Sequence, residues 1–470
     1  MNIHNLIFTL DSYKDLHGDM LVDGTEHVYS YGEARTGAMY DYTIFFGLQY
    51  IIKNWLEGQV ITKELIDEAE PILKEHFKYS GDVWDRSRWD YIANELGGKL
   101  PIEIRAIQEG VKVPVSTPLF TIVDTDGKCG WLTNALETLI QQVWYPTTVA
   151  TRSHFIHDII RKYFKETVDD QNQWLADYYL HDFGQRGATC MEAAMLGGMA
   201  HLINGKGTDT KMGMVGAIKY YDAKIDGIGH SVPASEHSIA TQLGKEGEFK
   251  VAKMLMKKFH KGILSLVGDS YGITHFVHMI CTELKDDVLA RDGKLVIRPD
   301  SPRFKGDTPQ DQILWIVQEL DKAYGHTINS KGYKVLHPKV GVIYGDSLTE
   351  KDIENSLETL KINGYSAESS VYGCGGYLLQ KLNRDTQRFA IKSSAQFRNG
   401  KWHDVFKSPS DTSKASKKGR LAVEKNNDEW RTIPFDSSVE SLNQLKTVFL
   451  NGSIVANYTF DQIRETVKSQ

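Results

Sequence analysis

The chain has 470 residues, of which 41% are hydrophobic, 25% charged and 10% aromatic. That is a globular composition, which excludes wholesale disorder, and the length exceeds one ordinary core; two or three domains, or a barrel with an attached domain, are expected. The formal net charge of −6 gives no general attraction to nucleic acid or to an anionic membrane, while leaving room for a local basic patch that binds phosphate.

Along the chain, the N-terminal apolar stretch lacks a basic flank and stops at Asp11, so no signal peptide is expected. No apolar run reaches the ~18 residues of a membrane span. Residues 102–124 alternate (Ile102, Ile104, Ala106) and continue as β-rich sequence. Cys129, Cys190, Cys281 and Cys374 are far apart, with neither zinc-ligand nor redox spacing, which fits a cytoplasmic protein without disulfides. The middle of the chain has its own rhythm. The short apolar runs Ile263–Val267, Leu295–Ile297 and Val340–Tyr344 lead into Gly268-Asp269-Ser270, Arg298-Pro299-Asp300-Ser301 and Gly345-Asp346-Ser347.

Helical spacing fills the gaps, with Ile273, Phe276, Val277 and Ile280, then Ile313, Ile316, Val317 and Leu320. Thr308-Pro309 followed by Asp311 is a helix start, and Thr349 is another. Strand, polar strand end and amphipathic helix in succession predict parallel βα units, which keep active sites at strand C-termini. Further on, Gly373-Cys374-Gly375-Gly376 reads equally as a tight turn or as an anion-accepting turn ahead of a helix through LLQKLNRD, with Arg384 and Lys392 downstream favouring the second. The basic run Lys414, Lys417, Lys418 and Arg420 reads as a solvated or phosphate-facing loop. RLAVEKNNDEWRTI and VFL-NG-SIV read as hairpins, the second with a type I′ turn at Asn451-Gly452. The expected fold is α/β: a βα barrel over 172–382, and a discontinuous β-rich α+β domain from both termini, 1–171 and 383–470.

Acid–base and phosphate-type groups collect at the strand ends: Asp182, Arg186, Asp209, Glu236, His237, Asp269, Arg298, Asp300 and Asp346. Any one acid reads as a cap or turn. Three Asp-Ser pairs on successive βα units with an arginine beside one suit a polyanion site, where Arg forks onto phosphate and Asp holds hydrated Mg²⁺. Residue type alone leaves His237 open between a structural and an active histidine, and Asp11-Ser12-Tyr13-Lys14 open as a cap and turn.

TLDSYK, YSYGEAR, GLQYIIKNWLEG, WYPTTVAT, LHDFGQRG, KGTDT, SVPASEHS, GDSYG, IRPDS, GCGGYLLQKLNRD and SKKGRL occur in this order. Together they closely resemble the nicotinamide phosphoribosyltransferase family, type II phosphoribosyltransferases, over essentially the whole chain. The resemblance implies a barrel related to quinolinate phosphoribosyltransferase and a homodimer whose active sites use both subunits. The implied reaction joins nicotinamide to phosphoribosyl pyrophosphate, giving nicotinamide mononucleotide and pyrophosphate in NAD salvage. Mg²⁺ is the implied cofactor, and ATP a co-substrate that phosphorylates a histidine.

By resemblance, Phe183 and the other subunit's Tyr13 sandwich nicotinamide, Asp209 receives its carboxamide NH₂, and Arg298 lies near carboxamide and ribose. Asp11, Arg186, Asp269, Asp300, Asp346, Gly375, Gly376, Arg384 and Lys392 match ribose, phosphate and pyrophosphate contacts. Tyr178, Ser231, Ser265 and Lys414 are expected as further substrate contacts. His237 matches the histidine that ATP phosphorylates, which the resemblance implies to be catalytic with Asp269 and Asp300, and these two acids are expected to hold the metal through water. The chain departs from the family pattern in SPRFKGDTP after Asp300, in Ala390 where some relatives have a serine, and in Gln185 where some have an aromatic. A nicotinate-using enzyme and an inactive nucleotide-binding regulator are the alternatives; Asp209 argues against the first, since it would repel a substrate carboxylate.

Overall fold

The computed structural model describes residues 2–408, 415–427 and 429–470. The chain divides into two compact units: Met1–Thr151 with Ala217–Ala223 and Leu382–Gln470, and Arg152–Gly216 with Lys224–Lys381.

The first unit is built on a seven-stranded antiparallel sheet that interleaves the two ends of the chain. Thr25–Ala34 pairs with Phe389–Arg398, and Ile102–Ala106 with Lys446–Leu450. The alternation that marks Ile102–Ala106 has its physical cause in burial: Ile102, Ile104 and Ala106 face the core, while Glu103 and Arg105 are half-buried. Both expected hairpins form, Leu421–Asn426 with Glu429–Pro434 and Lys446–Leu450 with Ser453–Ile454. Asn451 (φ 48°) and Gly452 (φ 78°) take the positive φ values that a type I′ turn requires.

The second unit is a parallel sheet. Its strands are β1 (Leu180–Asp182), β2 (Gly207–Thr208), β3 (Leu264–Val267), β4 (Leu295–Arg298), β5 (Val340–Tyr344) and β6 (Ser370–Cys374). Their spatial order is β2-β1-β6-β5-β4-β3, every pairing parallel. Residues 230–235 close this half-barrel. His230 bridges Gly207 on one edge strand and Ala234 bridges Ser265 on the other, with Ser265 N–H donating to Pro233 O at 2.9 Å. The result is an irregular barrel in which one stave is an extended loop.

The helices of this unit include α1 (Trp144–Thr167, belonging to it from Arg152 onward), α2 (Met191–Leu202), α3 (Ile273–Cys281), α4 (Pro309–Tyr324) and α5 (Glu350–Ile362). Capping boxes at Thr308/Asp311 and Thr349/Asp352 start α4 and α5, each cap contributing about 1 kcal/mol. Ile313, Ile316, Val317 and Leu320 are fully buried along one stripe of α4. The helix expected through LLQKLNRD is confined to four residues, Gly376–Leu379. All four cysteines are free. Among the described residues no helix is long and apolar enough to cross a membrane.

Candidate active site

The C-terminal ends of the barrel strands surround a cleft of about 920 Å³, lined by Phe183, Arg186, Asp209, Arg298, Asp300 and Asp346 among others. Most of these side chains follow or end a short apolar strand, so the barrel wall fixes where the polar groups emerge.

Phe183 continues β1, its N–H donating to Cys374 O at 2.8 Å. Its ring rests on glycines of two neighbouring segments. A Cβ on Gly373 would lie 2.2 Å from Phe183 Cε2, and one on Gly345 3.0 Å from the same atom. Hydrogen at Gly373 lets the ring lie against the wall while still lining the cleft, and Gly345 leaves it little room to spare. Gly373→Ala is therefore expected to cost about 1–3 kcal/mol by overpacking. Denaturant unfolding would measure it, and Phe183→Ala in the same chain should remove most of the added cost.

Asp209 follows β2, and its N–H donates to Asp182 O at 2.9 Å. Oδ1 lies 3.3 Å from His181 Nε2 and accepts the Ser231 hydroxyl. Oδ2 takes no hydrogen bond from any described residue. Burial opposes the charge on this carboxyl, but the bonds from His181 and Ser231 and the field of His181 and Arg298 outweigh it, and its pKa is held below the usual range. Asp209 is therefore an ionised acceptor with one oxygen available to a ligand. Arg298 ends β4 and lines the same cleft, and its Nε is buried without a hydrogen-bond acceptor among the described residues.

Behind them, burial pushes the Asp182 carboxyl up to about 6, although it accepts the Gly184 N–H at 2.7 Å. The folded chain thus holds this proton to higher pH than the unfolded chain does, and stability contributed by the group is lost as pH rises from about 4 through 6. Asp182→Asn should gain about 2 kcal/mol on wild type between pH 4 and pH 7. Urea unfolding of both proteins at the two pH values measures this, and an unchanged difference would contradict it.

His237 Nε2 lies 2.9 Å from Asp269 Oδ1, and Nδ1 lies 3.9 Å from Asp300 Oδ2. Asp269 can only accept when ionised, so Nε2 carries a proton, and in the neutral imidazole Nδ1 is the nitrogen that has the lone pair. Ser301 Oγ donates to the other oxygen of Asp269 at 2.5 Å and fixes its plane. Both oxygens of Asp269 are thus engaged, and the partly exposed Asp300, which lines the cleft, is the freer carboxylate. This donor set fits hydrated Mg²⁺, which keeps several waters and is held by one or two carboxylates plus substrate phosphates. Among the described residues no group of three or more His, Cys, Asp or Glu forms a protein-only metal cage.

Arg186 is exposed, 3.9 Å from Glu236. Asp346 accepts from its neighbour Ser347 at 3.1 Å. Gly375 and Gly376 line the cleft, and no atom lies within 4 Å of a Cβ built on Gly376, leaving its backbone open to a ligand. Tyr178 packs against His230 at 5.7 Å, beside the closing segment. Ser265 is buried in β3, where its backbone holds that segment. The residues of SPRFKGDTP fold onto the start of α4. Arg303 N–H donates to Gln312 Oε1 at 3.0 Å, Gln312 Nε2 donates to Ser301 O at 2.9 Å, and Arg303 pairs with Asp307 at 2.9 Å.

Four of the described expected site residues belong to the first unit. Asp11 accepts the Thr138 hydroxyl at 2.8 Å, and Tyr13 is 58% exposed. Arg384 pairs with its neighbour Asp385 at 3.3 Å. Burial lowers the pKa of Lys392, Glu137 opposes this, and Arg35, Lys407 and Arg384 lower it further. Lys392 is therefore a cation among cations, a setting that favours an anion. Lys414 lies outside the described residues.

Sequence reasoning overlooked His181 and the glycine seat of Phe183. The period of two along β1 carried the first signal, since it puts His181 and Phe183 on one face, with ring centroids 5.1 Å apart.

The nicotinate phosphoribosyltransferase (NAPRTase) family matches residues 178–453, and the nicotinamide phosphoribosyltransferase N-terminal domain matches residues 5–104. The chain is 39% identical to the nicotinamide phosphoribosyltransferase of Xanthomonas campestris pv. campestris, over 98% of each chain. It is 31% identical to that of Acinetobacter baylyi, over 99% of this chain and 97% of the relative. In fold it is similar to nicotinate-nucleotide pyrophosphorylase from Pyrococcus furiosus, with TM-score 0.61 and 16% identity over 100% of this chain and 96% of the other. It is likewise similar to human nicotinic acid phosphoribosyltransferase, with TM-score 0.59 and 11% identity over 98% and 93%. With identity of this extent along nearly its whole length, the chain belongs to the nicotinamide phosphoribosyltransferase family, within the wider NAPRTase family.

Proposed function

We propose that this protein is a pentosyltransferase of NAD salvage that joins nicotinamide to phosphoribosyl pyrophosphate, releasing nicotinamide mononucleotide and pyrophosphate. The observation that carries the choice of base is Asp209, an ionised carboxylate with one open oxygen in the cleft that Phe183 and Arg298 also line. It accepts from a carboxamide NH₂ and repels the carboxylate of nicotinic acid. Phe183 offers a stacking face, and Arg298 a donor for the carboxamide oxygen or ribose.

In the reaction the pyridine nitrogen lone pair forms the bond to ribose C1 as the C1–O bond breaks and its electron pair leaves with pyrophosphate. Positive charge grows on the sugar and negative charge on the leaving group. Asp300 and Asp346 suit the first, and Arg186 with the backbone of Gly375 and Gly376 suits the second. Mg²⁺, when held through water by Asp300 and Asp269, would neutralise pyrophosphate charge. Substrate needs no deprotonation, so positioning supplies most of the remaining rate. Pyrophosphate release by purified protein that requires nicotinamide and phosphoribosyl pyrophosphate together tests this reading; release independent of nicotinamide would overturn it.

ATP enters as a co-substrate. Nδ1 of His237 attacks the γ-phosphorus, the bond to the β-phosphate oxygen breaks with its electrons leaving on ADP, and water later hydrolyses the phosphohistidine. The Asp269 contact supports this by orienting the ring and fixing the tautomer of the neutral imidazole, with Nε2 as the protonated nitrogen and Nδ1 as the nucleophile. The protein works in the cytoplasm as a homodimer, without nucleic acid or membrane partners, and one subunit supplies Tyr13 and Asp11 to the other's cleft. The exposure of Tyr13 supports this arrangement. Mixing Tyr13→Ala and His237→Ala proteins, each lacking the ATP-stimulated rate, with subunit exchange verified, should restore part of that rate through heterodimers holding one intact site. No recovery would count against sharing.

A further inference from the structure

The strand that delivers Asp209 has only two residues, Gly207 and Thr208, and so has little ladder of its own to fix its register. It is held from behind by α1 and α2. His154 Nδ1 lies 3.1 Å from Asn204 Oδ1, and Arg161 donates to Asn204 O at 2.9 Å. The ring of His157 presses on the turn where a Cβ on Gly205 would come within 2.3 Å of Nε2. His201 Nε2 lies 2.9 Å from Gly207 O, and its Nδ1 lies 2.9 Å from Ser153 Oγ.

The hydrogen placement follows from the acceptors. A carbonyl can only accept, so His201 Nε2 carries the proton and donates to Gly207. His157 Nδ1 lies 2.8 Å from Ser153 O and donates there, which leaves the Ser153 hydroxyl hydrogen for His201 Nδ1. Ser153 thereby fixes the tautomer, and His201, fully buried, presents one N–H to the one carbonyl next to Thr208. On its other side Gly207 packs against the ring that anchors Asp209, since a Cβ there would meet His181 Nδ1 at 2.8 Å. A slip of this strand would move Asp209 away from His181 and open the geometry of its free oxygen.

Resting on the reading of the cleft given above, we propose that His201 is a positioning residue for base selection: through the Gly207 carbonyl it holds the strand that aims Asp209 at the substrate amide. Buried and oriented by Ser153, it acts without touching substrate. His201→Leu removes the donor, while His201→Gln retains an N–H that can reach the carbonyl. His201→Leu should raise KM for nicotinamide about tenfold, the effect of losing the buried hydrogen bond to the Gly207 carbonyl, and should lower the preference for nicotinamide over nicotinic acid. KM for phosphoribosyl pyrophosphate and kcat should stay within about twofold, since that part of the cleft is built on other strands. His201→Gln should recover most of the loss. Ser153→Ala, which frees the tautomer and keeps the Gly207 contact, should shift nicotinamide KM in the same direction by about threefold, and it decides the matter if His201→Leu does not fold. Equal changes in KM for both substrates, an unchanged base preference, or no rescue by glutamine would overturn the proposal. Wild type assayed in parallel separates the two ideas. Its turnover of nicotinamide stands or falls with the functional reading, and the variant-to-wild-type ratios stand or fall with His201.

Discussion

Asp209→Asn should lower kcat/KM for nicotinamide by about one to two decades and narrow the gap to nicotinic acid. A charge-assisted hydrogen bond in a desolvated site contributes roughly 1.5–3 kcal/mol, and that is what the substrate amide loses. The substitution is clean because Oδ1 alone faces His181 and Ser231. Asparagine can keep its oxygen there and put Nδ2 where the open Oδ2 stood, replacing an acceptor that repels a carboxylate with a donor that receives one. The check is the ratio of kcat/KM for the two bases in wild type and variant at equal Mg²⁺ and ATP. A ratio unchanged within about twofold in a folded variant would make Asp209 structural.

His237→Ala should abolish γ-phosphate incorporation and lower ATP hydrolysis at least about a hundredfold, while weak ATP-independent synthesis persists. The imidazole is the only proposed phosphoryl acceptor, whereas base selection depends on Asp209, Arg298 and Phe183. Labelled ATP with the purified variant reads the first effect, and mononucleotide formation without ATP reads the second. Incorporation at the wild-type level would remove His237 from the phosphoryl step, and complete loss of basal synthesis would place it in the transfer itself.

Much of the barrel was legible because its signals are local. The Asp-Ser pairs at 269, 300 and 346 follow β3, β4 and β5, and the helix starts at Thr308 and Thr349 carry the capping boxes their sequences suggested. The terminal sheet was legible through the alternation at Ile102–Ala106 and the Asn451-Gly452 turn. What eluded sequence reasoning depends on residues distant in the chain. Nothing local to Gly373 or Gly345 says that Phe183 will lie on them, because the contact exists only after β1, β5 and β6 assemble. The closing stave at 230–235 has neither strand length nor alternation, and its two bridges depend on the edges of β2 and β3. The helix expected beyond Gly376 stops after one turn, and the fold shows α1 gripping the turn before Gly207 through bonds that no spacing rule encodes.

The central claim is that an ionised Asp209 makes this cleft select a neutral amide. The most direct measurement is a competition: purified wild-type protein, phosphoribosyl pyrophosphate, Mg²⁺ and ATP, with nicotinamide and nicotinic acid at equal concentration, and both mononucleotides quantified at low conversion. The account predicts nicotinamide mononucleotide in excess by at least about tenfold, because the amide donates a charge-assisted hydrogen bond to Asp209 while the carboxylate of nicotinic acid meets like charge there. Equal yields, or an excess of the nicotinic acid product, would contradict it.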